Sequence, residues 1–448
     1  MIYDSITDLI GNTPLLRLPA ATHTAAGLPA ATAELVDVHA KLELLNPFGS
    51  VKDRIAWGML RPVLDDVRAA AATVVESSSG NTATALQVLC SVHGVPFRTV
   101  TNRIKVEESR DLLLTLGAEV RELPGSSDCH DPTDPNDPVL VIEREVAGAG
   151  GRLHHTSQYT NPANVEAHHA TGEEIAADLP RVDLFVAGLG TTGSSRGIAE
   201  RLRVDNPGLT VVGVVTRAGD HIPGLRTADE LFEVGLFDRR LYDDVVTVTS
   251  AQAADAMLLL ARTAGLMAGP STGAAYTALA ATLGQNPVVA PDGARAVALF
   301  LACDRLEGYL SWVRARRPEL FGLPTSLYAV RGVDAVDPTV TLPVEEVDAW
   351  LAHGPALVVD TRSALGFAAG HLPGAVNIPD HALELVLEDG LPFADDARVL
   401  LTCAVGERSA RYATVLRETG VDARSLQGGV TGWRDAGMPV QPSRTLVW

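Results

Sequence analysis

Asn46-Pro47-Phe48-Gly49-Ser50-Val51-Lys52-Asp53-Arg54 is the stretch around which the chain is organised. Pro47 and Gly49 favour a loop over a regular element, and the loop delivers one lysine at its end. Ser50 is placed to N-cap a helix running through Ile55-Ala56-Trp57-Gly58-Met59-Leu60. A cation at a helix start opposes the helix dipole. The free amine of Lys52 is thereby favoured, and it is the better nucleophile toward a carbonyl. Taken alone, the stretch also fits a solvated surface lysine.

At 448 residues the chain is too long for one ordinary domain, and two or three are expected. Hydrophobic residues make up 46% and charged residues 20%, which suits a large buried core and argues against bulk disorder. A formal net charge of -19 excludes sequence-independent binding to nucleic acid or an anionic membrane, since both need basic patches. Cys90, Cys129, Cys303 and Cys403 are too far apart for a metal site or a CxxC pair. The first residues lack a signal pattern, and the uncharged run 263–291 is broken by Gly269-Pro270, Gly273 and Asn286-Pro287. A cytoplasmic protein is expected.

In chain order, residues 37–43 alternate polar and apolar as a strand does, leading into the lysine loop. Residues 72–76 form a second strand candidate, which ends in Ser77-Ser78-Ser79-Gly80-Asn81-Thr82 before an apolar helix from Ala83. Small hydroxyl residues and glycine at such a turn can hold an anion, or simply cap the helix. Further alternation (strand 97–101, helix 107–116, strand 183–187) is what a doubly wound parallel sheet requires. Residues 125–138 read as a surface loop. Gly188-Leu189-Gly190-Thr191-Thr192-Gly193-Ser194 then opens a helix, a phosphate-cradling arrangement that is neither a Walker A loop nor a clean dinucleotide fingerprint. Gly269-Pro270-Ser271-Thr272-Gly273 opens another, expected over 274–283. One lysine loop and three polar turns, each before a helix, suggest a bound phosphorylated carbonyl cofactor.

From about Tyr3 to Leu320 the chain resembles the fold-type II pyridoxal-phosphate enzymes of the cysteine synthase (O-acetylserine or O-phosphoserine sulfhydrylase) family. The resemblance rests on ordered matches: Ile10-Gly11-Asn12-Thr13-Pro14-Leu15, Lys41-Leu42-Glu43, the lysine stretch, Ser79-Gly80-Asn81-Thr82, Asn161-Pro162-Ala163-Asn164, and the turns at Gly190 and Gly269. It implies two doubly wound α/β subdomains and pyridoxal 5'-phosphate held on Lys52 as a Schiff base, with Lys52 also moving the α-proton. It further implies that Asn81 meets the pyridoxal 3'-oxygen, and that Gly190, Thr191, Thr192, Gly193 and Ser194 bind the phosphate. Ser271 would face the pyridine nitrogen, where a neutral hydroxyl moderates the electron sink and suits elimination followed by addition. Ser78, Ser79, Thr82 and Gln158 would hold the substrate carboxylate. The implied reaction is β-replacement on a serine ester, and the implied assembly is a homodimer.

Departures from the family pattern bear on the substrate. Ser78-Ser79-Gly80-Asn81-Thr82-Ala83 replaces Thr-Ser-Gly-Asn-Thr-Gly, Asn102-Arg103 replaces Pro-Glu, and Cys303-Asp304 replaces Pro-Asp. Arg217, after the strand 211–215, is a candidate for meeting an O-phosphoserine phosphate, which suits a bidentate guanidinium.

A second domain follows. Residues 1–322 are expected to form the cofactor domain, 323–341 a linker and 342–448 a small α/β domain. Strand 399–402 runs into Cys403-Ala404-Val405-Gly406-Glu407-Arg408-Ser409 and a helix carrying Ala410, Tyr412, Val415 and Leu416. A thiol at such a turn meets backbone N–H groups and a helix dipole, both of which favour thiolate. With Asp360-Thr361-Arg362, Gly370-His371-Leu372-Pro373-Gly374-Ala375 and Gln427-Gly428-Gly429 to Trp433, it resembles a rhodanese domain. That resemblance implies a persulfide on Cys403, cradled by the loop around Gly406 and by Arg408, with Asp360 and Arg362 in the supporting motif. Four residues separate Cys403 from Arg408, whereas the related dual-specificity phosphatases have one more. Ala404 and Gly366 replace a frequent arginine and glutamate, which bears on the sulfur donor.

Together the halves imply an enzyme that makes cysteine from O-phosphoserine or O-acetylserine. Its sulfur would come through the rhodanese persulfide, charged by a sulfur-donor protein or a small persulfide donor. Three alternatives stand beside it: the same chemistry with an amine nucleophile, giving 2,3-diaminopropionate or a relative; a non-catalytic sulfide or redox sensor; and a dinucleotide-binding protein using residues 188–194.

Overall fold

The computed structural model describes residues 2–102, 104–123, 137–218, 220–231, 234–285, 294–321, 336–380, 382–383, 397–418 and 420–442. Cys129, Arg103, most of the expected 125–138 loop, Asn286-Pro287 and most of the expected linker lie outside them. The chain divides into two compact units, Met1–Trp312 and Val313–Trp448.

Fifteen strands occur among the described residues. In the first unit they are β1 (Leu15–Arg17), β2 (Val36–Lys41), β3 (Thr73–Glu76), β4 (Phe97–Thr101), β5 (Glu119–Glu122), β6 (Leu153–His155), β7 (Leu184–Gly188), β8 (Thr210–Thr216), β9 (Asp244–Val248) and β10 (Ala296–Leu301). In the second they are β11 (Thr341–Leu342), β12 (Leu357–Asp360), β13 (Val376–Asn377), β14 (Arg398–Thr402) and β15 (Asp422–Leu426). The central strands are continuous apolar runs, as parallel strands covered by helices on both faces require. In β7, Leu184, Phe185, Val186 and Ala187 are all essentially unexposed.

The first unit holds two sheets, β1-β2-β10-β7-β8-β9 and β5-β4-β3-β6, parallel except for the β1–β2 pair. In the smaller sheet the chain winds from β3 to β4 to β5, then returns on the other side of β3 with β6. In the larger it winds from β7 to β8 to β9 and returns beside β7 with β10. Such reversals open a crevice at the carboxyl ends of the strands, where ligands of doubly wound sheets bind. The polar turns at 77–82 and 188–192 follow β3 and β7, so each reversal carries one of them. The second unit, a parallel sheet ordered β11-β15-β14-β12-β13, repeats the arrangement. There the reversal lies between β12 and β14, and Cys403 directly follows β14.

Several local expectations shift. Helix Lys52–Leu60 starts one residue after a non-capping Val51, although Ser50 Oγ does accept from Lys52 N at 3.2 Å. The turn at Gly269 is itself the first turn of helix Pro270–Gln285, since proline suits the first helical position. Its Gly273 packs on the neighbouring helix, where a Cβ would fall 2.1 Å from the Ala253 carbonyl oxygen. The polar residues of β2 are not a solvent face: Lys41 is fully buried.

Lys41 belongs to an ion cluster that holds the lysine helix. Arg54 Nε and Nη2 donate to Glu43 at 2.7 and 2.9 Å, while its Nη1 and Nη2 donate to Glu174 at 2.7 Å each. Lys41 Nζ lies 2.7 Å from Glu174 Oε2, and Asn12 N donates to Glu174 Oε1 at 2.9 Å. Gly11 N donates to Asn46 Oδ1 at 2.9 Å, so residues 10–15 are pinned to the lysine loop. Burial alone would push the Glu174 carboxyl up, but hydrogen bonds and charge from Arg54 and Lys41 bring it down to about 2. Its folded value thus lies below the unfolded 4.5, so its contribution is complete above about pH 5 and is lost as pH falls toward 2. Glu174→Gln is expected to lower stability by about 2 kcal/mol at pH 7 after allowance for solvent screening. Urea unfolding of both proteins should show that difference shrinking below about pH 4.

Candidate active sites

Helix Lys52–Leu60 presents Lys52 to a cavity of about 440 Å³ in the first unit. Ser77, Ser78, Ser79, Gly80, Asn81 and Thr82 line it, together with Gln158, Gly190 and Thr191. Thr192, Gly193 and Ser194 continue the β7 turn into helix Gly193–Asp205 but are not on the cavity wall, and neither is Ser271. Arg217 is not on the wall either; Arg226 is, with its guanidinium 4.8 Å from the Tyr159 ring centroid. Arg226 escaped the sequence reading because it lies ten residues past β8, beyond reach of any strand-end pattern.

The chain has three lysines, Lys41, Lys52 and Lys105. Lys41 is committed to Glu174; Lys105, two residues before helix Glu107–Thr115, lines the same cavity, whereas Lys52 starts the helix after the lysine loop. Burial pushes the Lys52 ammonium down, against the charges of Cys303 and Asp304, so the amine is favoured as the sequence suggested, with burial as the main cause. Asp53 braces the loop by accepting from Phe48 N at 2.7 Å and Ser50 Oγ at 3.2 Å, and burial pushes its carboxyl up to about 7.

The 77–82 turn is organised from below by Glu76, which is unexposed at the end of β3. Glu76 accepts from Ser77 N, Thr156 Oγ1 and Gln158 N at 2.8, 2.5 and 3.1 Å. Gln158 Nε2 in turn donates to Ser77 O at 2.8 Å, and its Oε1 accepts from Thr82 Oγ1 at 2.9 Å. Ser78 Oγ accepts from Gly80 N and Ala83 N at 3.4 and 3.2 Å. The proposed carboxylate-binding residues therefore form one braced unit.

The β7 turn suits a phosphate. Thr192 takes a left-handed φ of 63°, which points the following N–H groups of the helix outward with no intrahelical carbonyl to meet. Thr192 Oγ1 is buried and has no hydrogen-bond partner among the described residues. A Cβ at Gly190 would fall 2.3 Å from the Gly224 oxygen, and one at Gly193 would fall 1.9 Å from Asn164 Oδ1. A cavity-lining amine, a buried hydroxyl without a partner among the described residues and a glycine cradle fit pyridoxal phosphate.

In the second unit Cys403 is buried, and its Sγ accepts from Gly406 N at 3.2 Å and Ser409 Oγ at 3.4 Å. Ser409 also meets Ser425 Oγ at 2.9 Å, so the thiol sits at the end of a short hydroxyl chain. The helix begins at Glu407, earlier than expected, which places Arg408 and Ser409 in its first turn. Arg408 is largely exposed and pairs with Asp380 at 2.5 Å. Asp360 and Arg362 are a local brace: Arg362 Nη2 donates to Asp360 at 2.6 Å and to Gly370 O at 2.8 Å. Ser409 escaped the sequence reading because nothing in the loop shows which hydroxyl faces sulfur.

A doubly wound first unit with a half-buried lysine on a cavity wall among polar helix-opening turns defines a fold-type II pyridoxal-phosphate enzyme. The chain belongs to the pyridoxal-phosphate dependent enzyme family, which matches residues 6–303, and a rhodanese-like domain matches residues 343–436. It is 32% identical over 316 residues to cysteine synthase B of Pseudomonas aeruginosa, covering 69% of this chain and 96% of that protein. It is 33% identical over 331 residues to O-ureido-L-serine synthase of Streptomyces lavendulae, covering 69% and 92%. A solved O-ureido-L-serine synthase superposes with a TM-score of 0.59 at 29% identity, over 79% of this chain and all of that one. The protein is a pyridoxal-phosphate-dependent, cysteine synthase-like enzyme of the β-replacement type with a C-terminal rhodanese-like domain. Among the described residues no helix is long and apolar enough to cross a membrane.

Gly193→Ala should force Asn164 out of place and weaken pyridoxal phosphate binding about tenfold or more, read by fluorescence titration of the apo-protein.

Proposed function

We propose that the first unit makes L-cysteine by β-replacement on O-phosphoserine, with O-acetylserine the poorer ester, and that Cys403 brings in the sulfur as a persulfide. The observation carrying this reading is the single cavity that joins Lys52, the braced 77–82 turn, Gln158 and Arg226.

Lys52 would hold pyridoxal phosphate, with Asn81 at the ring oxygen, Ser271 toward the ring nitrogen and 190–194 around the phosphate. The cofactor, when bound, supplies an electron sink for charge at the substrate α-carbon. Ser78, Ser79, Thr82 and Gln158 bind the substrate carboxylate and so fix which α-bond faces Lys52. The Lys52 amine, whose ammonium form burial disfavours, takes the α-proton and later returns it. Arg226 stands on the same wall and supplies a planar double donor for a phosphate leaving group, for which acetate has less need. The β-carbon loses its C–O bond to the ester group and gains a C–S bond from hydrosulfide. In the second unit Gly406 N–H and the Ser409 hydroxyl donate to the Cys403 sulfur and fix its place in the loop. An external thiol attacks the inner sulfur of the persulfide, forming a mixed disulfide with Cys403 and releasing the outer sulfur as hydrosulfide; a second thiol then displaces Cys403 as the thiol and leaves as a disulfide with the first.

Likeness to an O-ureido-L-serine synthase favours a second reading, in which the same cavity takes a non-sulfur nucleophile. With an amine the product would be 2,3-diaminopropionate or a relative. Product analysis with sulfide and with amino-acid nucleophiles separates the two.

Arg226→Ala is expected to lower kcat/KM for O-phosphoserine about 10- to 100-fold, and that for O-acetylserine by less than about threefold. Equal losses on both esters would remove Arg226 from phosphate recognition. Cys403→Ala should lower the ratio of product formed from a persulfide donor to product formed from free sulfide; an unaltered ratio would sink the sulfur-supply role.

A further inference from the structure

Behind the cavity wall lies a group that the reaction as described does not use. Asp304, three residues past β10, is buried, and its Oδ2 accepts from Asn81 Nδ2 at 2.7 Å and from the Tyr309 hydroxyl at 2.5 Å. Asn81 Nδ2 also lies 3.3 Å from the Tyr309 oxygen, which closes a three-membered ring of contacts. Asn81 and Tyr309 are on the wall with Lys52, whereas Asp304 stands behind them.

The backbone of Asp304 joins the other segments of the site. It forms an antiparallel bridge with Ser50 in the lysine loop, and Gly269 N donates to its carbonyl at 3.0 Å. Val51 N donates to Cys303 O at 2.7 Å immediately beside it. The carboxyl group therefore meets Asn81 at the point where the lysine loop and the Ser271 turn are also tied down. Gly269 makes room for it, since a Cβ there would fall 2.2 Å from Asp304 Oδ1 and 2.8 Å from the Tyr309 ring.

An amide has two faces of opposite character, and a side-chain amide can turn over at little cost when nothing selects one orientation. A carboxyl oxygen can only select the NH₂ end of Asn81 unless it carries the proton itself. We propose that Asp304, with Tyr309, is a positioning residue for the cofactor: it holds the Asn81 amide in one orientation toward the cavity, beside Lys52. The proposal rests on the reading that this cavity binds pyridoxal phosphate on Lys52. Burial pushes the Asp304 carboxyl up, against its hydrogen bonds from Tyr309 and Asn81, while burial and then the Asp304 charge push the Tyr309 hydroxyl up. Tyr309 donates its own hydroxyl proton to the same Asp304 Oδ2 that meets Asn81, so this oxygen stands as an acceptor toward the amide.

The test uses the full-length protein stripped of cofactor and titrated with pyridoxal phosphate. Asp304→Ala, Asp304→Asn and Tyr309→Phe are compared with wild type for dissociation constant and for the wavelength of the bound-cofactor absorbance, below the melting temperature of each. Asp304→Ala should weaken binding about tenfold or more and shift the band. Asp304→Asn, which keeps one acceptor oxygen, should recover part of both effects, and Tyr309→Phe should weaken binding a few-fold. A merely structural role would lower the melting temperature and leave constant and band alone, and that result overturns the proposal. If Asp304→Ala does not fold, the two milder variants decide by the same two readings. Wild type that binds no pyridoxal phosphate would instead overturn the reading of the cavity.

Discussion

Arg54 sits two residues after Lys52 and is buried between Glu43 and Glu174. The buried guanidinium is tolerable only because two carboxylates and their own donors surround it. That requirement fixes the geometry of everything near it. Glu43 follows β2, Glu174 belongs to helix Ala163–Asp178, and Asn12 and Thr13 belong to the opening turn. Three further segments must be in place before the charge is satisfied, and the lysine helix is positioned as a result. The Lys52 amine is thus positioned by its neighbours' electrostatics, and among the described residues its side chain has no ion pair or hydrogen bond of its own.

The second constraint is topological. Each of the three sheets reverses its winding once among the described strands, and each reversal places a functional turn at the carboxyl end of a strand. The 77–82 turn, the 188–192 turn and the Cys403 loop are three uses of one device. In the first two a helix start leaves N–H groups without intrahelical partners, as an anion site needs; in the third Gly406 N donates to the Cys403 sulfur.

The strands and turns were legible because parallel strands are apolar throughout and the turns are rich in glycine and hydroxyl residues. The starts of helices were less so: Pro270 and Glu407 begin helices inside stretches that read as loops. Partnerships across the sequence were not legible at all. Lys41 looked like one polar residue of an alternating strand, yet it is buried against Glu174. Asn81 and Asp304 are 223 residues apart, and no local pattern joins them. Arg217 and Arg226 flank the same strand exit, and only the folded path shows which of the two reaches the cavity. The departure at Cys303 was visible, whereas Asp304 beside it matches the family pattern and stands out only through its contacts with Asn81 and Tyr309.

With only three lysines in the chain, the central claim has a direct test. The protein is incubated with pyridoxal phosphate, reduced with borohydride, digested and analysed by mass spectrometry. A pyridoxyl group on the peptide bearing Lys52, and not on those bearing Lys41 or Lys105, is the result the structure requires. A label on Lys105, or no label on any lysine, would contradict the account.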